Sequence, residues 1–158
     1  MKKLSLLILH IMLLLSACGG GSDADKPDFY QSNGVAIEGY DPVAYFTASK
    51  AVKGEAANSS TYQNITYHFS SEENKALFEA NPESYIPAYG GYCAYAMADA
   101  SFKMEPDPEN WQIQDGRLLL FYEDFWTNLQ GGLQAEWNTA PEDFGQKADA
   151  HWSEMTGK

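Results

Sequence analysis

Hydrophobicity in this chain is split between two kinds of residue in two places. The most continuous apolar run, Leu4 to Leu15, holds no aromatic side chain, whereas all 22 aromatic residues lie after position 28. A ring-rich core can therefore be built only from the later part of the chain, and so many rings in so short a span must be largely interior. The early run follows Lys2 and Lys3 and ends in the small residues Ser16 and Ala17. A basic start, a short apolar stretch and small residues at its close are the regions of an exported precursor. The run is too short to span a bilayer, which takes about 20 apolar residues.

Leu15-Ser16-Ala17-Cys18 resembles a bacterial lipobox. The resemblance implies a signal peptide over 1–17, cleavage before Cys18, and acylation of Cys18, so that the mature protein is held at a membrane by lipid. Each buried methylene contributes roughly 0.8 kcal/mol, and two or three chains hold a protein essentially permanently. Gly19 after the cysteine favours sorting to the outer membrane, with the protein facing the periplasm. Residues 18–32 read as a lipidated tether, beginning with glycine, serine and aspartate and lacking periodicity; their reach is on the order of 20 Å. Loss of the leader removes Lys2 and Lys3 but no carboxylate, leaving 8 basic against 22 acidic side chains, a balance of −14. Such a surface repels phosphate backbones, which argues against nucleic acid as a partner.

Residues 33–158 are enough for one core and too few for two. Thr61 to Phe69 reads as strand, turn and strand, with Ile65, Tyr67 and Phe69 on one face and His68 on the other. Ser70 or Ser71 caps a helix with Glu72 and Glu73 in its first turn, which ends at Asn81-Pro82. Trp111 to Tyr122 is a hairpin turning at Asp115-Gly116, where both central residues need positive φ. Gly116→Val is expected to cost more than Gly54→Ala, Gly54 reading as a loop residue. Glu123 to Gln130 and Pro141 to about Met155 read as helices. The class is α+β: a small single domain of short antiparallel hairpins packed with helices.

Tyr67-His68-Phe69-Ser70-Ser71-Glu72-Glu73-Asn74, followed by Leu77 to Tyr85, resembles the signature of the YHS domain. Gly39-Tyr40-Asp41-Pro42-Val43-Ala44-Tyr45-Phe46 is similar to its opening segment, and Tyr89 to Ala98 with Asp107 to Gly116 resemble a longer group of exported YHS proteins. The resemblance covers roughly residues 34–125 and implies a small α+β module related to treble-clef metal-binding domains. Metal-handling members carry cysteine in Asp-Pro-Val-Cys and in Cys-Ser-x-x-Cys after the aromatic strand. Here those places hold Ala44, Ser70 and Asn74. Alanine has no donor atom, and neutral serine and asparagine are poor ligands for soft metals. The family's thiolate site is therefore absent.

One thiol remains, Cys93, with no partner for a disulfide in the mature chain. It can be a reactive thiol, a metal ligand, an intermolecular bond or a small buried hydrophobe. It precedes an alanine-rich segment, so a helix N-terminus would favour its thiolate, and Met97 would follow one turn along the same face. Thiolate with thioether suits Cu(I), and Met104 or His68 would complete the set. The crowd of Asp99, Glu105, Asp107, Glu109 and Asp115 lacks the spacing of a calcium loop. His151 beside Trp152 reads as a surface residue. No phosphate loop, His-Glu-x-x-His or Gly-x-Ser-x-Gly is present, and a Cys93–His68 dyad is the one arithmetic route to thiol catalysis. The expectation is a lipid-anchored, non-enzymatic binding module of the envelope, for a soft metal ion such as copper through Cys93, Met97 and His68. The alternative is a metal-free module that meets an envelope protein.

Overall fold

Strand alternation at Ile65, Tyr67 and Phe69 sets the first layer of the fold. The computed structural model describes residues 27–124, 127–128 and 131–157; the leader, Cys18 and the first part of the tether lie outside them. Strands β1 (Gln31–Ser32), β2 (Val35–Ala36), β3 (Glu55–Tyr62) and β4 (Ile65–Phe69) form one sheet in the order β1-β2-β4-β3. β4 runs parallel to β2 and antiparallel to β3. Its three apolar residues are buried, while Thr66 and His68 between them are half-buried on the opposite face. Gln31 and Ser32, read from sequence as tether, are thus strand residues. The Tyr30 N–H donates to Gly90 O at 2.8 Å and the Tyr92 hydroxyl to Pro27 O at 2.9 Å, so the chain is seated on the domain from Pro27 onward.

Helix α1 (Ala44–Thr47) follows the Asp41-Pro42 turn, and α2 (Glu72–Ala80) follows β4. Ser71 caps α2 by accepting from the Asn74 N–H at 3.1 Å, and Glu72 and Glu73 stand at the positive end of its dipole. The hairpin of β5 (Asp107–Gln114) and β6 (Arg117–Phe121) turns at Asp115 and Gly116 with φ of 51° and 75°. Of the helix expected from Glu123, the described residues include the Asp124 turn, where the Thr127 N–H donates to Asp124 Oδ1 at 2.7 Å. Helices α3 (Ala94–Ala100), α4 (Leu133–Trp137) and α5 (Pro141–Thr156) complete the chain, with Pro141 in the first turn of α5. Among the described residues no helix is long and apolar enough to cross a membrane.

β6 divides the interior. Leu118 and Leu120 point into a core with Ile37, Val43, Tyr45, Tyr67, Phe69 and Phe78. Leu119 and Phe121 point into a second, with Cys93, Met97, Trp137 and the alanines of α3 and α5. A strand buried on both faces reads as a continuous apolar run, which is what Leu118-Leu119-Leu120-Phe121 is. Gly54 corrects the expectation that it is a permissive loop residue. Its amide donates to Gly39 O at 2.8 Å, and a Cβ there would overlap the backbone carbonyl carbon of His68 and lie 2.6 Å from the Phe69 nitrogen. At Gly116 a Cβ would meet open space, so only its positive φ is at stake.

Candidate functional site

Three short pieces of chain converge on the carboxylate of Asp41, which is wholly buried. Oδ1 accepts from the Val43 N–H at 2.9 Å and the Ala44 N–H at 3.2 Å, closing the turn that starts α1. Oδ2 accepts from the Ser70 N–H at 2.8 Å, the Ser70 hydroxyl at 2.6 Å and the Asn74 amide at 2.7 Å. Asn74 also donates to Ser70 Oγ at 3.3 Å. The cap at Ser71 sets the geometry, because it starts α2 so that Asn74 turns back over Ser70. Ala44, Ser70 and Asn74 are the three places where the sequence departs from a cysteine pattern, and the fold brings them together. Their donors are all neutral. A buried carboxylate without solvent survives only when its lone pairs are filled, and each such bond to a charged group contributes about 1.5–3 kcal/mol. Chemically this is a closed polar centre: the acceptor capacity of Asp41 is taken up by the chain itself.

Cys93 stands immediately before α3 and is wholly buried in the second core. Burial pushes its thiol up from its ordinary value, with the backbone amides near Ala96, Tyr122 and Tyr95 opposing only in part, so the thiol keeps its proton. Met97 lies one turn on and is equally buried, and the Cys93 N–H donates to Met104 O at 3.0 Å. The structure therefore brings Cys93, Met97 and Met104 into one neighbourhood. His68 lies elsewhere, on β4, with its Nδ1 facing Gly39. Among the described residues no group of three or more His, Cys, Asp and Glu is placed to hold a metal ion. His151 is partly buried and bonds through Nδ1 to Met97 O at 2.9 Å.

Asp41 escaped the sequence reading, although a signal was present at two of the three positions: Ser70 and Asn74 replace cysteines with a hydroxyl and an amide that donate to the carboxylate, whereas Ala44 gives only the backbone N–H that any such residue has. Lys103 was missed as well. It is 2% exposed, pairs with Asp28 at 3.5 Å and lies over the rings of Tyr92 and Trp152, pinning the first described residues to the domain.

The architecture is that of a small α+β domain. Residues 43–89 match the family model of the YHS domain. The match takes in Ala44, His68, Ser70 and Asn74 and stops short of Asp41 and Cys93. Neither a curated protein nor a solved structure matches the chain.

Proposed function

We propose that this protein is a lipid-anchored YHS module of the bacterial envelope, facing the periplasm from the outer membrane, that binds its partner without a metal ion and without catalysis. The observation that carries the reading is the Asp41 centre. Positions that hold thiolates in metal-handling relatives supply hydrogen bonds here, and the carboxylate they surround has five donors and no solvent. The lipobox-like Leu15-Ser16-Ala17-Cys18 supports the anchor, and some eight residues between Cys18 and Pro27 would hold the domain roughly 15 Å from the acylated end.

Native mass spectrometry of the protein with Cu(I) and with Zn(II) under reducing conditions tests this reading. The expected spectrum shows no stoichiometric metal. One copper per chain, lost in Cys93→Ser and weakened in Met97→Leu, would establish the second reading, a Cu(I) site, which the shared neighbourhood of Cys93, Met97 and Met104 favours. The anchor is tested separately: Cys18→Ser should abolish acylation and leave the precursor unprocessed. Recovery of the wild type without acyl chains would remove it.

A further inference from the structure

A cleft of about 380 Å³ opens between the end of the YHS segment, the β5–β6 turn and the last helix. Its volume falls in the range of small-ligand sites. Phe29 and Trp152, both half-buried, give it aromatic walls, and Gln63, Glu83, Ser84 and Arg117 give it polar groups.

Several features hold this shape in place. Tyr89 and Gly90 both adopt positive φ, 54° and 62°, and strain at a non-glycine residue is kept where surrounding structure demands it, often beside a ligand. A Cβ on Gly90 would overlap the Asp28 carbonyl oxygen and lie 3.1 Å from the Trp152 ring, so only glycine lets the floor, the entering chain and α5 meet. At the rim Arg117 forms a two-pronged pair with Asp149 at 2.9 and 3.2 Å. The Tyr89 hydroxyl donates to the same carboxylate at 3.0 Å, and the guanidinium lies over the Tyr89 ring. Arg117 is thereby fixed in direction while three of its five N–H groups are left over from that pair.

Arg117 is the one cation among the residues lining the cleft and Glu83 the one anion, and the charge of Arg117 is already met by Asp149 at the rim, in a chain of formal charge −12. A ligand anion would meet the field of an acidic protein, and a ligand cation would offer no acceptor to the remaining Arg117 N–H groups. An uncharged ligand with one apolar face and several groups that both donate and accept suits every wall. A pyranose has that form: its C–H face stacks on a ring, and its hydroxyls pair with the planar arginine, glutamate and glutamine groups. We infer that this cleft is a binding site for a neutral sugar unit of an envelope glycan. The inference names a ligand class for the binding module proposed above and rests on that reading.

Saturation-transfer NMR tests it, using the full chain in a detergent without a sugar headgroup. The probes are cellobiose and N,N′-diacetylchitobiose at millimolar concentration, with glucosamine and glucuronate as charged counterparts. Transfer is expected to at least one neutral disaccharide, concentrated on the protons of one ring face, and weaker transfer to both charged sugars. Trp152→Ala should cut the signal at least fivefold. Because Trp152 also packs on Tyr89, the deciding variant is Gln63→Asn, at an exposed turn residue with positive φ that asparagine accepts, and it should cut the signal about threefold. Absence of transfer to both neutral probes, stronger transfer to a charged one, or an unchanged signal in Gln63→Asn would overturn the inference. Copper uptake in the mass measurement strikes the metal-free reading alone, so the two failures are distinguishable.

Discussion

The two cores on either side of β6 answer the same question in opposite ways. Each encloses the kind of group from which a metal site is made. In the first core it is a carboxylate, Asp41, satisfied by five hydrogen bonds from its own chain. In the second it is a thiol, Cys93, kept neutral by burial among alanine, methionine and aromatic side chains. A charge taken out of water demands specific partners, whereas a neutral thiol demands only packing. The first centre is therefore rigidly specified, and the second tolerates change as long as volume is kept.

The largest effect expected from breaking this contrast lies at Asp41. Asp41→Ala leaves the buried N–H groups of Val43 and Ala44 and the half-buried donors of Ser70 and Asn74 without their acceptor, which should cost at least about 3 kcal/mol. Asp41→Asn keeps the shape but turns an amide toward donors and should recover only part of that loss. Urea denaturation midpoints measure both. An Asp41→Ala protein as stable as wild type would mean that the centre is not buried as described.

Next in size is Gly54. Its replacement by alanine drives a methyl group into the backbone at His68 and Phe69, next to Ser70, and should cost about 2–3 kcal/mol. Gly116→Val, with open space around it, should cost about 1 kcal/mol through its positive φ alone. This order inverts the one the sequence suggests, and equal shifts in denaturant midpoint for the two variants would contradict the close approach at Gly54.

Gly54 also shows where sequence reading stops. Features carried by adjacent residues were legible: the alternation of Ile65, Tyr67 and Phe69, the Ser71 cap, the Asp115-Gly116 turn, and the one-turn spacing of Cys93 and Met97. Features set by distant parts of the chain were not. Gly54 looks like a loop because the strand it touches lies fourteen or more residues on. Glu55 to Ser60 gives no strand signal because its residues are small and polar, and it is drawn into the sheet by pairing with β4. Asp41 looks like one more acidic surface residue in an acidic chain. Ala44, Ser70 and Asn74 could be read only for what they lack, since what they supply depends on meeting in space.

In the second core, Cys93→Ser should lower stability by roughly 1–3 kcal/mol, because a hydroxyl is placed among groups that offer it little compensation. Cys93→Ala keeps the site apolar and should cost less. In the native protein the thiol should react with iodoacetamide only after denaturant is added. Rapid native alkylation would place Cys93 at the surface and reopen the case for a ligand role.

The smallest expected effect is one of pH, and it isolates the thiol. Burial raises the Cys93 pKa in the folded chain above its ordinary value of 9.0, so above that pH the unfolded chain releases a proton that the folded chain retains. The contribution is fully present below about pH 9 and declines as pH rises, by at most about 1.4 kcal/mol per pH unit for a single proton. Tyr40 acts in the same direction at higher pH. Burial and its hydrogen bond to Glu109 push its phenol from 10.0 up to about 12, and its contribution is lost between those values. Urea midpoints at pH 7, 8.5 and 10 for wild type and Cys93→Ala should converge as pH rises, because only wild type loses the thiol contribution. The Tyr40→Phe curve should run parallel to wild type below about pH 10 and approach it only above that pH. Parallel curves for wild type and Cys93→Ala would mean that the thiol ionises equally in both states, which a wholly buried cysteine cannot do.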